Sequence, residues 1–316
     1  MKKVLVTGGC GFIGSHLVDT LMRKEANVHV IDNLSTGTMQ HIKQWLSNSL
    51  LRFVECDLLD TQALTGIDSN FDAVFHLAAN PEVRVSSVNP QIHFQQNVIA
   101  TYNLLEYIRK KQDKCTIAFA STSAVYGEPK IIPTPETYAP LAPISIYGAT
   151  KLACEALIAA YAYNYGLKAR IFRLANIIGP RSDHGVIHDF ILKLKSNPRQ
   201  LEILGDGSQT KSYLYVDDCI QAMIKGAESS DEQVQFFNVG SDDQINVREI
   251  GEIVIEAMDL RNVETKLTGG VDGGRGWSGD VKIMLLDNEK IKSIGWTPKL
   301  SSEQAVRHTV KETLFA

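Results

Sequence analysis

Apolar residues follow two rhythms along this chain. Short β-rich runs predict strands near 3–7, 28–32, 51–56, 71–77, 115–121 and 168–174, and the run Phe71 to Ala79 is apolar on both faces, as expected of a central strand. Between them, stretches with 3.6-residue apolar spacing predict helices near 12–25, 90–111 and 145–166. Such an alternation predicts an α/β fold, a doubly wound parallel sheet with helices on both faces. From about residue 175 the texture changes: Gly179-Pro180, Asn197-Pro198, Gly205-Asp206-Gly207, Gly269-Gly270 and Gly273-Gly274 interrupt shorter elements. This predicts a first domain over 1–174 and a smaller C-terminal α/β lobe over 175–316, some of whose segments return to the first domain. A cleft is expected between them at the carboxyl ends of the strands.

The first strand runs into Thr7-Gly8-Gly9-Cys10-Gly11-Phe12-Ile13-Gly14, with glycines three residues apart, and helical periodicity then resumes. Gly8 allows a tight turn, Gly11 lets a pyrophosphate approach the backbone, and Gly14 lets the following helix pack closely on the sheet. The phosphates would face free N–H groups and the positive end of a helix dipole. The bland alternative is a glycine-rich turn with no ligand. Context opposes it, because the strand Val28-His29-Val30-Ile31 ends in Asp32, where a carboxylate can accept bonds from an adenosine ribose. The same carboxylate repels a 2′-phosphate, and no Arg or Lys lies between residues 26 and 42 to receive one. The expected fold is therefore of Rossmann type and the expected cofactor is NAD.

Composition narrows the classes further. At 316 residues, 44% hydrophobic, the chain can bury one large core with a modest second lobe. A net charge of −4 supplies no basic field for nucleic acid or an anionic membrane surface, and no apolar run reaches the ~18 residues of a membrane span. Cys10, Cys56, Cys115, Cys154 and Cys219 are scattered and form no C-x-x-C pair, so reduced thiols, no metal site and a cytoplasmic location are expected. A strand begins within three residues, with no charged-then-apolar leader, which suggests a protein neither exported nor anchored.

Candidate chemistry centres on Tyr147-Gly148-Ala149-Thr150-Lys151, which puts a phenol and an ammonium one helical turn apart. For a phenol to act as a base near neutrality its pKa must fall by roughly 3 units, about 4 kcal/mol, which a nearby ammonium and a positive nicotinamide ring could together supply in a closed site. Tyr107 with Lys111 and Tyr126 with Lys130 share the spacing, but Pro129 interrupts the second and the first ends a helix in clustered cations. For Tyr147 the bland alternative is a helix-surface pair, with Lys151 reaching Glu155. Against it, the strand Thr116–Ala120 delivers Ser121-Thr122-Ser123 at its carboxyl end, so a hydroxyl and a phenol can face one substrate atom. His76, inside an apolar strand, is read as a core histidine.

Taken with Asp32-Asn33, Asp57-Leu58, His76-Leu77-Ala78-Ala79, Asn97, Ser121 to Gly127, Arg173 to Pro180, Gly205 to Asp217, Phe237 to Gly240, Gly279-Asp280 and Gly295 to Pro298, these motifs resemble the extended short-chain dehydrogenase/reductase family. Within it the chain is similar to UDP-glucose 4-epimerases of the short bacterial or archaeal kind. The resemblance implies Thr122, Tyr147 and Lys151 as catalytic. It implies a cofactor site of Gly8, Gly11, Phe12, Ile13, Gly14, Asp32, Asn33, Asp57, Leu58, Leu77, Ala78, Ala79, Asn97, Ala120, Tyr147, Lys151 and Leu174. Around a UDP-sugar it implies Val83, Thr122, Tyr147, Asn176, Val186, Leu204, Lys211, Tyr213, Arg275, Asp280 and Met284, and it implies a homodimer through a four-helix interface of the helices near 90–111 and 145–166.

The implied reaction oxidises the sugar at C4 to a 4-keto intermediate and reduces it from the opposite face, with NAD bound throughout. Two departures bear on this. Lys211 stands where family members often carry Arg, giving a point charge without a planar fork. Ser123 and Ala124 follow Thr122 where the dehydratases carry Asp-Glu and the decarboxylases a Glu, which removes the proton donor that elimination needs. Other NAD-dependent nucleotide-sugar enzymes and a non-catalytic NAD-binding protein are the competing readings. Met284, at the position that limits the C2 substituent, is flexible and leaves the sugar open.

Overall fold

The computed structural model describes residues 1–83, 85–111, 115–229 and 232–315. Six of the apolar runs form strands β1 (Lys3–Thr7), β2 (Asn27–Asp32), β3 (Leu51–Glu55), β4 (Ala73–His76), β5 (Thr116–Thr122) and β6 (Lys168–Leu174). With Val234–Val239 they make one seven-stranded sheet in the order Val234–Val239, β6, β5, β4, β1, β2, β3, and every pairing is parallel. The order reverses between β1 and β4, so a crevice opens there at the carboxyl ends.

The pleat sends Val4 and Val6 to one face and Leu5 to the other. On the first face they meet Leu17 and Leu21 of helix α1 (Phe12–Arg23), and Ile220 and Met223 of helix Val216–Glu228. On the second, Leu5 and Val74 pack with Leu104 and Ile108 of helix Ala100–Lys111, and with Cys154 and Ile158 of helix Ile146–Tyr165. A further core, apart from the two faces of the central sheet, gathers Phe190, Leu201, Ile203, Ile250, Val254, Val306 and Val310 where the sequence predicts the smaller lobe.

Two elements differ from the sequence expectation. The span 90–111 is not one uniform helix: Pro90–His93 leads into a wide π turn over Phe94–Ile99 before Ala100–Lys111 continues. No strand is expected at Val234–Val239 from its sequence, yet this segment extends the central sheet by pairing with β6 from Val234↔Ala169 to Val239↔Leu174. Its short run V-Q-F-F-N-V has mixed polarity, and partnership with β6 rather than its own pattern makes it a strand. Among the described residues no helix is long and apolar enough to cross a membrane.

Candidate active site

At the end of β1 the chain turns through Gly8 at φ +71°, where a Cβ would lie 2.7 Å from the backbone nitrogen of Ala78. A Cβ on Gly14 would come within 2.0 Å of the Gly8 carbonyl oxygen. Gly11 differs, since its Cβ would meet only the Gly8 oxygen at 3.3 Å, so its backbone stays open to a ligand. It also begins α1 without a side chain to accept from the first-turn N–H groups of Phe12 and Ile13, a terminus suited to phosphate.

Asp32, buried at the end of β2, accepts the Cys10 N–H through Oδ2 at 2.9 Å and the Leu34 N–H through Oδ1 at 2.8 Å. These bonds pin the carboxylate and leave lone pairs for a diol. Asn33 donates to Asp57 Oδ2 at 2.9 Å, Leu58 is buried beside it, and the half-buried Leu77, Ala78 and Ala79 follow β4. An open glycine backbone, a helix start and a pinned carboxylate fit a dinucleotide.

Across the crevice, Ser145 caps helix Ile146–Tyr165 by accepting the Gly148 N–H at 3.0 Å. The helix presents the half-buried Tyr147, whose phenol faces the Thr122 hydroxyl. Thr122 Oγ1 also accepts the Ala124 N–H at 3.2 Å as the chain enters a tight turn over Ser123–Tyr126. Strand alternation sends Ser121 the other way, where its hydroxyl donates to Glu155 Oε1. Lys151 is 3% exposed; its ammonium donates to the Ala120 carbonyl at 2.7 Å and lies over the Phe119 ring at 4.6 Å. Leu174, at the end of β6, is buried.

The surface-pair alternative for Lys151 is thereby removed, because Glu155 is also buried and its partner is Arg173, with Nη2 to Oε2 at 2.8 Å. Asn97, inside the π turn, accepts the Asn80 N–H at 2.9 Å and donates to Thr150 at 3.0 Å, tying the chain after β4 to the helix of Tyr147. The equally spaced tyrosines have structural roles: Tyr126 is buried and donates to Asn238 Oδ1 at 2.7 Å, and Tyr107 donates to the Asp68 carbonyl. His76 sits fully buried between the hydroxyls of Thr7 at 2.8 Å and Thr101 at 2.9 Å, a satisfied core histidine.

Without the nicotinamide charge, Lys151 leaves Tyr147 a phenol: burial pushes it up to about 12, and the neighbouring Thr122 hydroxyl offsets only part of this. Burial lowers the Lys151 ammonium to about 8, opposed by Cys154 and Glu155. Glu155, Arg173 and His93 escaped the sequence analysis as members of this centre. Glu155 lies one helical turn beyond Lys151 on the same face, which was an available signal. His93 packs edge-on to the Tyr147 ring at 5.8 Å, and nothing in the local pattern foretells that contact.

On the lobe side, Lys211 forms an ion pair with the buried Asp280 at 2.6 Å, and Met284 is its register partner on the neighbouring strand. Arg275 pairs with Glu128 and donates to the Asp272 carbonyl at 2.8 Å. Asn176 donates to the Ser212 carbonyl at 3.2 Å and is the register partner of the buried Tyr213. Val83, Val186 and Leu204 lie on three separate elements: the segment after β4, the start of helix Val186–Ser196, and the end of strand Gln200–Ile203. Thr122, Tyr147 and Lys151 thus converge with the cradle, whereas both lobe cations expected to face a diphosphate are paired with carboxylates.

Comparison with known proteins agrees with this geometry. Residues 5–309 match the family model described as GDP-mannose 4,6 dehydratase. A protein of Methanocaldococcus jannaschii named as a putative UDP-glucose 4-epimerase is 35% identical over 97% of this chain and 97% of its own. UDP-glucuronic acid decarboxylase 3 of Arabidopsis thaliana is 31% identical over 96% of this chain and 86% of its own. Among solved structures, a UDP-galactose 4-epimerase superposes with a TM-score of 0.86 at 42% identity, covering 98% of both chains. The UDP-glucose 4-epimerase of Thermus thermophilus, in complex with NAD, gives 0.82 at 32% identity, covering 98% of this chain and 97% of that one. With its doubly wound sheet, its dinucleotide cradle and a family match over nearly its whole length, the chain belongs to the GDP-mannose 4,6 dehydratase family of extended short-chain dehydrogenases/reductases.

Proposed function

We propose that this protein binds NAD and catalyses the 4-epimerisation of a UDP-hexose, interconverting UDP-glucose and UDP-galactose through a 4-keto intermediate. The observation that carries the reading is the meeting of the Thr122 hydroxyl and the Tyr147 phenol one helical turn from a buried Lys151, with Ser123-Ala124 following Thr122 where elimination chemistry requires an acid. Oxidised nicotinamide, when bound, supplies a hydride acceptor and a positive charge beside the phenol. Tyr147 takes the C4 hydroxyl proton, directly or through Thr122, and returns it to the opposite configuration. Lys151 holds the nicotinamide ribose and keeps positive charge near the phenolate, so the phenol's pKa falls from its buried value only when both charges face it. Gly8, Gly11, Phe12, Ile13 and Gly14 carry the pyrophosphate, and Asp32 the adenosine ribose. Asn176, Lys211, Tyr213, Arg275 and Asp280 grip the nucleotide diphosphate, leaving the sugar free to turn.

A homodimer through helices Ala100–Lys111 and Ile146–Tyr165 is part of the proposal. Tyr102, Ile146 and Tyr163 are exposed on these helices, and sedimentation at micromolar concentration tests it. The five buried free thiols fit a reducing cytoplasm. The deciding experiment incubates the purified protein with UDP-glucose, UDP-N-acetylglucosamine and UDP-glucuronate separately, without reductant, and reads the C4 epimer ratio. The expected result is UDP-galactose from UDP-glucose with no net NADH. Release of carbon dioxide, a 4-keto-6-deoxy sugar or stoichiometric NADH overturns the reading in favour of a decarboxylase, a dehydratase or a dehydrogenase.

A further inference from the structure

Behind the Tyr147–Lys151 face lies a fully buried polar cluster that takes no part in the chemistry proposed above. Glu155, 2% exposed, accepts three N–H contacts from Arg173: Nη2 to Oε2 at 2.8 Å, Nε to Oε2 at 3.2 Å and Nε to Oε1 at 3.1 Å. It also accepts the Ser121 hydroxyl at 2.5 Å. Arg173, 4% exposed, reaches on to the Tyr126 hydroxyl at 3.0 Å and the Glu136 carbonyl at 3.2 Å. A buried ion pair of this kind is a poor source of stability, because desolvation offsets its Coulombic gain. Its position suggests another use. Ser121 adjoins Thr122, Glu155 lies one turn beyond Lys151, and Lys151 itself bonds Ala120, so the helix that carries the phenol is tied to β5 through Ser121 and Ala120 and to β6 through Arg173.

We propose that Glu155, clamped by Arg173 and Ser121, is a positioning residue that seats the Tyr147–Lys151 helix against β5 and keeps a fixed negative charge one turn beneath Lys151. The inference rests on the epimerase reading for its kinetic readout alone. The titratable groups that face Lys151 from other elements are His76 of β4 and His93 ahead of the π turn; burial lowers both, His76 to about 3, so both are neutral near pH 7. On its own helix Cys154 is held as a thiol by burial, and Tyr147 as a phenol. Glu155 is the remaining anion acting on the ammonium, and it raises the pH at which Lys151 loses its proton.

The test is Glu155→Gln, which keeps shape and removes charge. Expected are a cooperative melt, a UDP-glucose KM within about twofold of wild type, and kcat lower by about 10-fold or more. The alkaline limb of the kcat–pH profile is expected to move at least about half a unit toward lower pH. Glu155→Asp restores the limb but not kcat, which separates charge from seating, and with Ser121→Ala it carries the test if the Gln variant does not fold. Ser121→Ala keeps the wild-type limb and lowers kcat about two- to fivefold by loosening the seat. A Glu155→Gln protein with wild-type kcat and limb but a lower melting temperature, or wild-type kcat in both other variants, overturns the proposal. A second measurement, calorimetric NAD affinity against pH without sugar, is expected to fall off at lower pH in Glu155→Gln. Identical curves also overturn it. If wild type binds NAD but converts no UDP-sugar, the epimerase reading fails and this second measurement still judges Glu155.

Discussion

Around Gly8, Gly14 and Asp32 the protein shapes its candidate ligand site with backbone, where a Cβ on either glycine would strike backbone atoms and two N–H groups hold the carboxylate. Around Lys211, Arg275 and Asp280 it uses long side chains in ion pairs, one of which, Arg275–Glu128, leaves Glu128 half exposed. On the proposed reading, the first region already has the shape its ligand needs, and the second exchanges partners to receive one. The difference suits an enzyme that keeps one molecule and releases the other. A permanently held dinucleotide gains from a rigid seat, whereas a departing nucleotide sugar gains from cations with an internal alternative.

The comparison can be broken at several points. The largest effect belongs to the centre that both regions serve: Tyr147→Phe is expected to lower kcat by about 1,000-fold while calorimetric NAD affinity stays within about threefold. A near-wild-type rate would remove the phenol from the chemistry. Next is the charge on Lys151, whose pKa in the fold, about 8, lies below the ordinary 10.5. Between those values the unfolded chain holds the extra proton. Stability therefore rises with pH there, relieving a penalty of about 3 kcal/mol that is fully present below pH 8. In urea titrations without added cofactor, wild type is expected to gain on Lys151→Met between pH 8 and 10.5, and parallel curves contradict the buried ammonium.

The cradle's rigidity is sharpened by Gly14→Ala, whose Cβ must displace the Gly8 carbonyl. A loss of about 1–3 kcal/mol in stability and at least about 10-fold in NAD affinity is expected from thermal melts and calorimetry. Smallest is Glu128→Gln, which releases Arg275. An exposed pair is worth about 0–1 kcal/mol, so the KM for UDP-glucose should drop by up to about fivefold with kcat unchanged. A raised KM would show that Glu128 helps the nucleotide to bind.

Legibility divides along the same line as rigidity. Gly8, Gly11, Gly14 and Asp32 could be read because strand, turn and helix follow each other within the chain, and Tyr147 and Lys151 because one helical turn joins them and the strand Thr116–Ala120 brings hydroxyls to the same end. Thr122 rather than Ser121 or Ser123 follows from family resemblance, and the structure supplies the physical cause: alternation along β5 sends Ser121 to Glu155 and Thr122 to Tyr147. The lobe pairs were invisible, because Asp280 is 69 residues from Lys211 and Glu128 is 147 from Arg275.

Period and local stereochemistry were written into the chain. Apolar rhythm set strands and helices, glycine spacing set the turn, and Asp32 ended its strand, since each depends on neighbours within a few residues. Folding alone settled the protonation of the centre and the partners of its charges. A pKa answers to burial, and burial belongs to no single segment: Lys151 is enclosed by groups on β4, on β5, ahead of the π turn and on its own helix. The addition of Val234–Val239 to the sheet has the same origin, because an edge strand of mixed polarity is defined by the partner that β6 offers it.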